Sequence, residues 1–141
     1  MSCKKVIINY KNVKSLIKYC KHSGEYIWYH KNGNIEYKYY CIGNKANGEY
    51  NWYYENGHIK LNCYFINDKH NGECNWYYQN GPIRHKPYYF NHKKNGECKE
   101  YTTNGNIRQK YYYINDEFNG EHIEYDKDGD IRDKCYCINN Y

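Results

Sequence analysis

The sequence predicts an all-β fold, an elongated antiparallel meander of about five tandem β-hairpins. Two recurring signals and one absence carry that prediction. Gly-Glu recurs every 24 residues, at Gly24-Glu25, Gly48-Glu49, Gly72-Glu73, Gly96-Glu97 and Gly120-Glu121. A turn pair recurs in the same step, at Asn32-Gly33, Asn56-Gly57, Asn80-Gly81, Asn104-Gly105 and Asp128-Gly129, each with Ile two residues beyond its Gly. The runs between these marks lack the 3.6-residue apolar period of a helix.

Each unit reads as one hairpin, because Asn-Gly or Asp-Gly supplies the positive φ that tight turns demand. In the second unit the strands fall near Glu49–Tyr54 and Ile59–Ile66, and a polar loop over 67–71 leads to the next unit. A two-residue turn at Asn56-Gly57 sets Tyr54 opposite Ile59, Trp52 opposite Leu61 and Tyr50 opposite Cys63, with Phe65 on the same face. Glu49, Asn51, Tyr53, Lys60, Asn62, Tyr64 and Ile66 take the other face. A three-residue turn with a bulge would flip one strand. The first register is preferred because it separates Trp, Leu and Phe from charge.

The repeats divide the chain into units 24–47, 48–71, 72–95, 96–119 and 120–141. Residues 1–23 stand apart, with six Lys and no acid, and are expected to form a basic cap strand or arm. A cap would cover the first sheet edge, since open edges invite pairing. The edge of the last unit is left to pair with a partner.

Composition limits the function classes. Tyr supplies 22 of 141 residues, so the core must be built largely from Tyr rings. The net charge is +5, but residues 1–95 carry +9 and residues 96–141 carry −4. Such polarity can orient a partner or favour head-to-tail contact and a homo-oligomer. Val6-Ile7-Ile8 is too short for a secretion signal and no run reaches the ~20 apolar residues of a membrane helix, so a cytoplasmic protein is expected, in host cytoplasm or a virion if viral. The eight Cys are accordingly read as thiols.

The segment Gly48-Glu49-Tyr50-Asn51-Trp52-Tyr53-Tyr54-Glu55-Asn56-Gly57-His58-Ile59, echoed from Gly72 to Ile83, resembles the variant form of the MORN repeat. The resemblance spans residues 24–141. It implies a twisted ribbon of hairpins with an aromatic groove. It also implies roles in scaffolding, membrane-proximal assembly, acidic-lipid contact or antitoxin-like immunity, in bacteria or large DNA viruses. Units four and five depart from it, with Glu100 and Glu124 where earlier units have Trp28, Trp52 and Trp76. The groove should therefore thin towards the C-terminus.

The expected function is a non-catalytic adaptor or scaffold that binds another protein. Trp28, Trp52, Trp76, Tyr54, Tyr78 and Phe65 are the expected aromatic contacts, since Tyr and Trp dominate interface hot spots. Arg84, Arg108 and Arg132 are the expected charged anchors. The basic column they form with Lys60, and a second with Lys38, Lys86, Lys110 and Lys134, could instead meet nucleic acid or acidic lipid, which rank behind protein. No cofactor, metal or catalytic residue is expected. The Cys contain no C-x-x-C pair and read as core fillers, with Cys135-x-Cys137 the only close pair. No His recurs at a fixed spacing from a carboxylate that would orient a general base.

Overall fold

The computed structural model describes residues 20–138. All regular structure among them is strand. Five hairpins follow in chain order: Gly24–Tyr29 with Ile35–Ile42, Lys45–Tyr53 with Ile59–Ile66, Asn75–Tyr77 with Ile83–Lys86, Gly96–Tyr101 with Ile107–Ile114, and Gly120–Tyr125 with Ile131–Cys137. Each strand pairs antiparallel with the next, so the meander stands as expected. The expected cap over 1–23 lies almost wholly outside the described residues.

Both kinds of turn differ from expectation. The Asn-Gly turns close over three residues, not two. Tyr54 N donates to His58 O at 2.8 Å and Gly57 N to Tyr54 O at 2.9 Å, with Gly57 at φ 86°. This is a turn finished by a glycine bulge, which uses the same Asn-Gly signal as the tighter turn. The two-residue turns sit at the junctions between repeats instead. Asn67-Asp68, Asn91-His92 and Asn115-Asp116 all have positive φ, and Ile66 pairs directly with Lys69 across the first of them. The expected polar loop over 67–71 is therefore a tight turn followed by a short return strand, Lys69–His70.

A second bulge rescues the register. Trp52 pairs with Leu61, but Tyr53 pairs with Ile59, so Lys60 is an extra residue in its strand. The same irregularity occurs in all five hairpins. It makes Glu36, Lys60, Arg84, Arg108 and Arg132 the bulge residues. The two offsets cancel, and Tyr50 still faces Cys63 as expected. Tyr54 does not face Ile59, and the bulge turns Lys60 away from its expected face: its Nζ lies 3.7 Å over the Trp52 ring.

The core follows from this alternation. Tyr37, Tyr39, Cys41, Tyr50, Leu61, Cys63 and Phe65 are buried on one face. Tyr40, Ile42, Tyr64 and Ile66 stand exposed on the other. The rings interlock: Trp28 stacks on Tyr37 at 5.0 Å and Tyr39 at 5.5 Å, and Tyr50 meets Phe65 edge-on at 5.9 Å.

The thiol expectation is corrected for four cysteines. Cys20 is bonded to Cys41, and Cys63 to Cys74. The strand register accounts for the second bond. Leu61 pairs with Trp76 and Asn62 with Asn75, which brings Cys63 opposite Cys74 with Cα atoms 4.3 Å apart. That is the spacing of a non-hydrogen-bonded antiparallel pair, where side chains are closest. Among the described residues Cys98, Cys135 and Cys137 stay unbonded.

Candidate functional site

The bulge fixes where the charged column points. An extra residue in one strand re-aims its side chain. Lys60 covers Trp52 and lies 5.4 Å over Tyr54, and Arg84 lies 5.8 Å over Tyr78. Burial against these rings lowers the Lys60 pKa. Cations over aromatic faces are favourable contacts, worth about 0.5–1 kcal/mol where exposed.

Tyr54 and Tyr78 do structural work. The Tyr54 hydroxyl donates to Tyr77 O and the Tyr78 hydroxyl to Tyr101 O, both at 2.8 Å. His30 occupies the same column and reaches Tyr53 O through Nε2 at 2.9 Å. Each bond ties one hairpin to the next. Tyr78→Phe is expected to lower stability by about 1 kcal/mol, the usual net worth of one such bond, as a shift in the urea midpoint. Tyr88→Phe, an exposed control, should leave it unchanged.

The residues expected as contacts do not all converge. Phe65 is corrected: at 1% exposure it belongs to the core and offers no surface to a partner, because position 65 alternates inward with 61 and 63. Trp28 is packed among Tyr26, Tyr37 and Tyr39. Trp52 lies edge-on to Trp76 at 6.4 Å beneath Lys60. Arg132 is held at the far end by Glu124. Trp76, Tyr78, Arg84 and Arg108 do come together, in a groove between the third and fourth hairpins. His85, Glu100 and Tyr101 complete its lining.

Glu100 changes the character of this groove. It accepts from Gln109 Nε2 at 2.5 Å and from the Tyr111 hydroxyl at 2.9 Å, and its oxygen is 3.8 Å from His85 Nδ1. Burial alone would raise its pKa. The two hydrogen bonds and the charges of His85 and Arg108 outweigh that and hold it below the ordinary carboxylate value. Burial lowers the His85 pKa, with Glu100 opposing. The network continues through His122, whose Nε2 meets Gln109 Oε1 at 3.0 Å. The aromatic column thus gives way to a polar one from Glu100 onward. The Trp-to-Glu replacement was the sequence signal for this site, while His85 carried none.

The second basic column is neutralised within the chain. Lys38 pairs with Glu25, Lys86 with Glu73, Lys110 with Glu97 and Lys134 with Glu121, at 2.7–3.6 Å. The glutamates are those of the recurring Gly-Glu. The opposite face also carries two exposed apolar columns in the 24-residue step. One holds Tyr40, Tyr64, Tyr88 and Tyr136, and the other Ile42, Ile66, Phe90, Ile114 and Ile138.

The sequence model of the family described as MORN repeat variant matches residues 23–40, 46–67 and 94–115. This is a MORN-repeat protein. No curated protein matches the chain. MORN repeats generally serve protein or membrane-lipid binding and are generally non-catalytic. The third MORN hairpin, where the groove begins, falls between matched segments. It is also the one whose strands are interrupted, at Cys74 and Pro87.

Proposed function

We propose that this MORN-repeat protein is an adaptor that binds another protein through the groove at Trp76, Tyr78, Arg84 and Arg108, with Trp52 extending the contact. The observation that carries the reading is the mixture in that groove: a part-exposed Trp, two exposed Arg and a partly buried carboxylate. Aromatic residues with Arg are the usual anchors of protein interfaces. Glu100 at the centre opposes a phosphate, and four lysines that could have met a polyanion are already paired with glutamates.

The test is capture by the tagged full chain from its native source, with and without nuclease, read by mass spectrometry. One or two proteins in fixed ratio, indifferent to nuclease, are expected. A Trp52→Ala, Trp76→Ala pair should weaken their capture at least tenfold, a loss of about 1.4 kcal/mol or more. Undiminished capture by a folded pair variant would remove the groove from the interface.

The exposed Tyr and Ile columns favour a second reading, contact with a membrane surface. Exposed apolar stripes of this kind mark interaction faces. Sedimentation with anionic vesicles that fails in an Ile66→Asp, Phe90→Asp variant would move the assignment to that face.

A further inference from the structure

Three metal-ligating side chains meet beside the interrupted hairpin. One ligand atom each from Cys63, Cys74 and His70 lies within 4.8 Å of the others. Both cysteines are buried, at 1% and 4% exposure. The His70 ring packs 4.3 Å from Phe65 and 5.0 Å from Tyr89.

A fourth residue orients the third. His92 Nδ1 lies 3.4 Å from the His70 backbone N and 3.2 Å from His70 Nδ1. A backbone N–H can only donate, so His92 Nδ1 is the acceptor and carries its lone pair. His70 Nδ1 must then bear the hydrogen of the shared contact. That tautomer leaves Nε2 as the lone-pair nitrogen of His70. A ring fixed in this way through its second nitrogen is the usual support of a histidine ligand.

The repeat supplies an independent observation. In the preceding junction the columns of Cys63 and Cys74 hold Tyr39 and Tyr50, the column of His70 holds Ala46, and that of His92 holds Asp68. Asp68 is a turn residue whose carboxylate accepts from Ala46 N at 2.6 Å. Cys135, Cys98 and His22 stand singly in the columns of Cys63, Cys74 and His70, but the four residues occur together at this junction. Core filling alone requires none of the histidines.

We propose that Cys63, Cys74 and His70 form a thiol-gated site for a zinc ion, with His92 as its positioning residue. Two thiolates and an imidazole suit Zn²⁺, and a water would complete the tetrahedron. In the bonded form the sulfurs are shared with each other. A dithiol or phosphine reductant breaks the Cys63–Cys74 bond and is itself oxidised. The two thiols then give their protons to solvent as the metal binds. A disulfide oxidant such as oxidised glutathione reverses the step, re-forming the bond and expelling the ion.

The experiment uses the full chain with Cys98, Cys135 and Cys137 changed to Ser, reduced with a phosphine and freed of metal under nitrogen. Co²⁺ serves as the optical probe. One equivalent should give thiolate-to-cobalt charge transfer and tetrahedral bands that Zn²⁺ displaces. His70→Ala should weaken binding at least tenfold, and His92→Ala by about 10–100-fold. Oxidised glutathione should release the metal one for one. Alkylation mapping of the reduced Cys-complete chain, which needs no Cys74→Ser variant to fold, supplies a second readout, in which Zn²⁺ should protect Cys63 and Cys74. Absence of charge-transfer bands, affinity unchanged in His70→Ala, or alkylation indifferent to Zn²⁺ would each overturn the site.

Discussion

Phe65→Ala is expected to destabilise the protein by about 3–5 kcal/mol, the range for removing a fully buried aromatic ring. The ring is 1% exposed and touches Tyr50 at 5.9 Å and His70 at 4.3 Å. It thus joins the second hairpin to the junction that follows. Its neighbour Ile66 points the other way and is 48% exposed. Ile66→Ala should therefore change stability by no more than about 0.5 kcal/mol. Urea unfolding of the two variants reads the strand's facing directly. A one-residue slip would exchange the two results, since it moves every side chain to the opposite face. Similar losses in both would mean that the apolar columns on the outer face are also buried.

The strand positions and the inward face were legible because each repeat states them again. Five copies of one pattern average out local accidents, and only a shared face for Trp52, Leu61 and Phe65 separates them from charge. The turns were not legible. Asn-Gly serves both a two-residue turn and a three-residue turn with a glycine bulge, since both place Gly at positive φ. Asn67-Asp68 takes positive φ without any Gly and so reads as ordinary polar loop. The bulge at Lys60 left no compositional mark either, yet it decides that Lys60 covers Trp52.

Pairings across strands were hidden for the same reason. Glu25 and Lys38 are 13 residues apart, and only the register of Glu25 with Tyr40 and Ile27 with Lys38 makes them neighbours. The Cys63–Cys74 bond likewise depends on the junction between repeats, where no spacing rule for cysteine applies. Phe65 reads as a contact residue from sequence because a single-layer sheet cannot bury both of its faces. The short return strand Lys69–His70 brings His70 against it.

Glu100→Ala is expected to cost about 1–3 kcal/mol, because it strands the Gln109 amide and the Tyr111 hydroxyl, both part-buried, without their acceptor. The loss should depend on pH, with a sign fixed by two shifts in the same direction. Burial lowers the folded-state pKa of His85 below 6.5, and hydrogen bonds from Gln109 and Tyr111, overcoming burial, hold that of Glu100 below 4.5. A group depressed on folding contributes stability above its unfolded pKa and loses it as pH falls through the folded one. Wild-type stability should therefore decline from near pH 6.5 downward as His85 charges, and more steeply below pH 4.5 as Glu100 is protonated. Glu100→Gln removes the second component, so the gap between wild type and variant should narrow from pH 5 to pH 3. Some acid sensitivity will remain in the variant, because Glu97 is also depressed: burial opposes, but Lys99, Tyr112 and Lys110 prevail. A gap constant from pH 7 to pH 3 in denaturant titrations would mean that the Glu100 charge contributes nothing to the groove. The carboxylate would then serve only as a hydrogen-bond acceptor, and the case against a phosphate ligand in that groove would fall with it.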